Sequence, residues 1–267
     1  MPFQWTIKKW KKGKARCLTP SWWYTHAMNE EPHIQRRYRG VMEPAGLTCY
    51  SVVIGESDLY ICTRGDLSRR ARESLAAQRA DLESYLEKHL PFGTSFRPIP
   101  VDSEAPEIAA DMARAAGEFD VGPMASVAGA IAQHVGTDLL EHSDSVIVEN
   151  GGDIFVAGGG ARKIRLFAGG DSPAIDIIVT DTPRGIGVCT SSATVGPSVS
   201  LGQADAVTVL GPTATVADAA ATAIGNIVLS AEDIQGALEW ASGFEDVHGV
   251  VIVAGGAVGA WGEVELA

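Results

Sequence analysis

Long apolar runs are missing from this sequence. No stretch approaches the roughly 20 apolar residues that cross a bilayer as one helix, although 46% of the 267 residues are hydrophobic. Cysteine is scarce and scattered: Cys17, Cys49, Cys62 and Cys189 stand far apart, with no CxxC. That spacing argues against a disulfide framework or a zinc site in a chain of this size. Cys49 and Cys62 fall in neighbouring strand-like runs and read most simply as core residues. Several chemical signatures are also absent. There is no GxGxxG opening a helix, no P-loop lysine and no GxSxG, so the usual dinucleotide, Walker and serine-nucleophile readings fail. The start, MPFQWTIKKW, lacks the charged-then-apolar order of a signal peptide. The expectation is a cytoplasmic protein that does not use a membrane.

The charge present is unevenly spread. Residues 1–40 hold nine Lys/Arg against Glu30 and Glu31, a net of +7, which leaves −19 for residues 41–267 out of a total of −12. An acidic body is a poor nucleic-acid surface, because counterion release needs clustered cations. The basic head KKWKKGKAR reads as a solvated tail or as a segment docked on the acidic body. Trp5, Trp10, Trp22 and Trp23 are four of the six tryptophans, so this segment should bury against something. The organisation expected is a basic, Trp-rich arm over residues 1–35, reaching the body or a second copy of the chain in a homo-oligomer. One compact domain over 36–267 follows.

Periodicity places a hairpin at 47–64 around Gly55 and Glu56. A long amphipathic helix follows over 66–90, capped by Asp66 or Ser68 and stopped by PFG, with Leu75, Leu82 and Leu86 near one face. Helices are expected at 105–119 and 122–140, the second with Pro123 at a favoured position. Strands are expected at 145–150, 163–168, 174–180, 185–190 and 204–210. Helices at 215–226 and 231–242 come next, then strands at 248–254 and 257–266. Strands clustered at the start and in the second half, with helices in blocks, indicate an α+β chain with largely antiparallel sheet. GGD occurs at 151–153 and again at 169–171, a hint of internal duplication.

Three stretches carry candidate chemistry. In VENGGDIFVAGGG (148–160), paired glycines let backbone amides approach a ligand and form an anion-binding nest. The flanking Glu149, Asn150 and Asp153 join Gly151 and Gly152 as candidate binding residues, and a plain tight turn is the alternative. In GVCTSSATVGPSVSLGQADAVTV (187–209), Ser191, Ser192, Ser198 and Ser200 offer a polar lining. Asp205 stands there at a strand start, either exposed at the sheet end or bonded to the loop. In TVADAAATAIGN (215–226), Asp218 and Thr222 lie one turn apart on one helix face. Asp218 alone is naturally read as a cap, and Thr222 alone as back-bonding within its helix. Together they are hard oxygen donors, a partial set for Mg²⁺ or Ca²⁺. His134 and His142 read as surface or core histidines.

GPMASVAGAIA, ENGGDI, TSS…ADAVTV and ADAAATA, in this order, resemble the ApbE superfamily, the FAD:protein FMN transferases. From about residue 36 onward the chain is similar more closely to an uncharacterised ApbE-like family. That likeness runs through Tyr38–Arg39, Ser57–Leu59, Val121–Ala125, Glu149–Phe155 and Gly196–Val209. The resemblance implies an ApbE-like α+β fold of T-fold-type antiparallel sheets with packed helices. It implies Mg²⁺ held by Asp218, Thr222 and a carbonyl from about Ala125 to Ala128. It also implies FAD as a small-molecule nucleotide ligand, with its pyrophosphate on the metal and the Gly151–Gly152–Asp153 turn against it. The reaction implied is hydrolysis of FAD or transfer of FMN. The alternative implied is an accessory role in anaerobic sulfur and homocysteine metabolism. Two features depart from the transferase pattern. ASVAGA replaces a stretch that usually carries a lysine or related polar residue, and the interval before the ADA helix has no HxxDPxTG. The substrate-facing part of the site is rebuilt.

Overall fold

The computed structural model describes residues 8–9, 44, 46–167, 174–192 and 202–267. The arm expected over 1–35 lies outside them apart from the backbone of Lys8–Lys9, as do the second GGD and the loop 193–201. Duplication therefore stays an expectation of the sequence.

The short strand β1 (Lys8–Lys9) precedes the predicted hairpin, β2 (Thr48–Ile54) and β3 (Ser57–Thr63). Its register sets Cys49 directly opposite Cys62, and the two form a disulfide. This corrects the reading of both as simple core thiols. Cross-strand register, which a search for CxxC does not consult, is what brings them together.

Helix α1 (Ser68–Lys88) buries Ala71, Leu75, Leu82 and Tyr85 on one stripe. The Asp66 carboxylate accepts from the Ser68 amide at 2.8 Å at its entry. The helix does not run on to PFG. The backbone breaks at His89, and Pro91 sits in the first turn of a second short helix, α2 (Leu90–Thr94), where its missing N–H costs nothing. Helix α3 (Glu107–Phe119) buries Ile108, Met112, Ala115 and Phe119 and ends where Asp120 turns left-handed. A 3₁₀ turn over Pro123–Ser126 then leads into α4 (Val127–Leu140).

The second half supplies β4 (Val146–Asn150), β5 (Asp153–Ala157), β6 (Gly160–Leu166), β7 (Ile175–Asp181), β8 (Ile186–Ser191) and β9 (Ala206–Gly211). Helix α5 (Ala214–Ile227) and α6 (Ile234–Ala241) follow, then β10 (Gly249–Ala254), β11 (Ala257–Gly262) and β12 (Glu265–Leu266). Among the described residues the strands form a nine-stranded sheet, ordered β1-β11-β10-β9-β8-β5-β4-β3-β2, and a three-stranded sheet, β12-β7-β6. All their pairings are antiparallel, as the resemblance implies.

One face of the large sheet packs on the helices through Val148, Phe155, Val207, Val209 and Ile252. The other face packs on the small sheet through Ile154, Val156, Ile177, Val179, Val188 and Leu210. Alternation along each strand sends successive side chains to opposite cores. No single described helix is long and apolar enough to cross a membrane.

Candidate functional site

Helix α5 is alanine-rich because it is wedged between α4 and the sheet. Ala217, Ala219, Ala220, Ala221 and Ala223 are all buried. Its own cap is Thr213, whose hydroxyl accepts from the Val216 amide at 3.1 Å. Asp218 is therefore not the cap of its own helix. Its carboxylate instead accepts from the Gly129 amide at 2.9 Å, in the first turn of α4. That turn has free amides and the positive end of a helix dipole. Gly129 is required there: a Cβ would lie 2.3 Å from the Ala214 carbonyl oxygen and 2.7 Å from the Asp218 Cβ.

Thr222 does not back-bond within α5 either. Its hydroxyl donates to the Ala125 carbonyl at 3.3 Å, across the interface with the 3₁₀ turn. So Asp218, Thr222 and the Ala125 carbonyl, three oxygen donors named from sequence, converge on the start of α4.

The β4–β5 turn joins the same place. Gly151 and Gly152 have φ of 71° and 111°, backbone that suits glycine. The Glu149 carboxylate accepts from the Gly152 amide at 2.9 Å and fixes the turn. The Asn150 amide donates to the Ala128 carbonyl at 3.1 Å and ties the turn to α4. Asp153 is buried and accepts from the Thr190 amide at 3.2 Å. Ser191 and Ser192 are buried at the end of β8, and the Ser192 hydroxyl donates to the Asp205 carbonyl at 2.6 Å. The Asp205 carboxylate accepts from the Gly255 amide at 3.0 Å, so its acid group turns to the β10–β11 turn. Ser192 and Asp205 thus tie strand ends together, with Ser191 buried beside them, while Ser198 and Ser200 lie outside the described residues.

The electrostatics of this cluster are unusual. Burial, with the Glu149 charge adding to it, pushes the Asp153 carboxyl up to about 7, and hydrogen bonds from Thr190 and Cys189 offset only part. Burial and the Asp153 charge push Asp218 well above the ordinary carboxylate range, against the Gly129 and Ala128 amides. Cys189, fully buried, is also pushed up, by burial and by the same two aspartates. Its sulfur also lies 3.2 Å from the Ala214 carbonyl oxygen, a second acceptor within reach of its single proton. Two carboxylates buried together gain from a cation, and their hydrogen bonds come from backbone amides and a thiol rather than from lysine or arginine. One carboxylate, one hydroxyl and one carbonyl form a hard-oxygen set that suits Mg²⁺ completed by water and phosphate.

Sequence reasoning missed Cys189, Gly129 and Gln133, whose side-chain oxygen accepts from the Ala214 amide at 2.8 Å. A glycine inside the helix expected over 122–140, where it lowers helix propensity, is the visible signal for Gly129. His134 falls elsewhere and bonds Asp111 at 2.9 Å between α3 and α4.

A family model described as AbpE bacteria matches residues 41–259. The chain belongs to this family. Among curated relatives, a UPF0280 protein of Methanocaldococcus jannaschii is 41% identical over 203 residues, 73% of this chain and 82% of that protein. A UPF0280 protein of Methanococcus aeolicus is 39% identical over 201 residues, 73% and 81% of the two chains. Among solved structures, the flavin transferase ApbE from Vibrio cholerae superposes with a TM-score of 0.57 at 13% identity, over 82% of this chain and 97% of that one. The apo flavinyl transferase ApbE from Pseudomonas stutzeri gives 0.51 at 14% identity, over 82% and 94%. At such identity the likeness establishes the ApbE fold, and the AbpE family match agrees with it.

Proposed function

We propose that this AbpE-family protein binds a flavin dinucleotide, FAD, through a divalent cation, Mg²⁺, and hydrolyses it or transfers its FMN half. The observation that carries the reading is the convergence of Asp218, Thr222 and the Ala125 carbonyl on the first turn of α4. Asp218 would supply the charged ligand and Thr222 and Ala125 the neutral ones. The glycine turn would lie against the phosphates, where Gly151 and Gly152 bring no Cβ. A bound cation supplies charge neutralisation and polarisation of a pyrophosphate. The chain's own part is positioning. Glu149 holds the turn, Asn150 ties it to α4, and Gly129 lets α5 approach α4 closely.

The experiment is incubation of purified protein with FAD, with Mg²⁺ or with EDTA, with and without an acceptor protein carrying exposed threonines. Release of FMN and AMP, or flavin on the acceptor, only with Mg²⁺ and lost in Asp218→Asn, is the expected result. Neither product with either partner sinks the reading.

A further inference from the structure

We propose a second ligand site, on the side of the large sheet away from Asp218, for a small organic cation with an apolar body. A cavity of about 580 Å³ opens at the end of the core between the two sheets, within the roughly 300–1,000 Å³ range of small-molecule sites. Helix α5 packs on one face of β8 and β9. The cavity lies against the other, the face whose Ile186 and Leu210 belong to the inter-sheet core. It is therefore separated from the Asp218 site by the sheet itself.

The lining sets the chemistry. Ile178, Ile186, Leu210 and Val264 give apolar walls, suited to a hydrocarbon or aromatic body. Around them stand His248, Glu263 and Glu265, and no lysine or arginine is among the described residues that line the space. Acidic residues beside low-dielectric walls favour a cationic head group. The largely apolar walls favour an organic cation over a metal ion, which needs oxygen ligands on several sides. The backbone at the rim is tightly packed: a Cβ at Gly262, where φ is 86°, would lie 2.2 Å from the His248 carbonyl oxygen.

A charge series of one shape tests the site on the full-length protein. 2-Phenylethylamine, 2-phenylethanol and phenylacetate are titrated by calorimetry. The amine should bind about ten-fold or more tighter than the alcohol, and phenylacetate should not bind. Glu263→Gln with Glu265→Gln, both at exposed positions, should cut amine affinity about ten-fold with an unchanged melting temperature. Thr180→Trp, at an exposed lining position, should block the amine by filling the mouth. No binding by any of the three probes, equal binding by all, or amine binding indifferent to both variants each overturns the proposal.

Discussion

The carboxylate of Asp218 on α5 accepts the backbone amide of Gly129 on α4 at 2.9 Å. An acid from one helix thereby closes the open end of another, at a crossing where the Gly129 position has no room for a Cβ. Gly129→Ala should force the helices apart or push Asp218 off its rotamer. Overpacking of this kind costs about 1–3 kcal/mol, which urea unfolding reads directly. Mg²⁺ binding, measured by calorimetry, should weaken in the same variant.

Asp218→Asn separates charge from hydrogen bonding. The amide keeps an acceptor for Gly129 and loses a buried charge that both burial and Asp153 disfavour. Without metal at pH 8 the variant should melt at or above the wild-type temperature. Mg²⁺ should raise the melting temperature of wild type and leave the variant unmoved. A variant that melts lower in EDTA, or that still responds to Mg²⁺, contradicts the assignment.

The pH dependence has a definite sign. Burial pushes the Asp153 carboxyl up to about 7 in the fold, from about 3.9 unfolded. Between those values the folded state holds the extra proton, so stability falls as pH rises. The contribution is fully present below the unfolded value and lost by the folded one. Melting in EDTA from pH 4 to 8 should show a downward slope that Asp153→Asn reduces. Saturating Mg²⁺ should flatten it too, by replacing the proton with a cation.

The hairpin disulfide contributes through the unfolded chain. Cys49 and Cys62 are 13 residues apart, and a loop of that size is worth about 3 kcal/mol in the chain-entropy account. Replacing both with serine should lower unfolding stability by about 2–3 kcal/mol without touching Mg²⁺ affinity. Cys189 is the remaining described cysteine and is buried, so thiol reagents should label the native described domain slowly there.

Much of this arrangement was legible in the chain. The Asp218–Thr222 spacing requires a shared helix face, and the paired glycines after Asn150 require a turn, because both follow from local geometry. Their partners were not legible. That Asp218 reaches Gly129 and Thr222 reaches Ala125 depends on how α4 and α5 cross, and no local pattern encodes a crossing. The same holds for Cys49 with Cys62, where strand register decides, and for Cys189, whose significance comes from two aspartates distant in sequence. The break at His89 was missed for a different reason: Pro91 stops one helix and also suits the first turn of the next.

The tight α4–α5 crossing also bears on ion size. Asp218 and Thr222 project from a helix walled in by alanine, and Ala125 belongs to the turn that the same crossing clamps. If these three hold a cation, donors so closely packed would splay poorly to the longer bonds and higher ligand number of Ca²⁺, whereas the shorter octahedral shell of Mg²⁺ leaves most positions to water and phosphate. Discrimination between the two ions would then reside in a glycine hydrogen that touches neither.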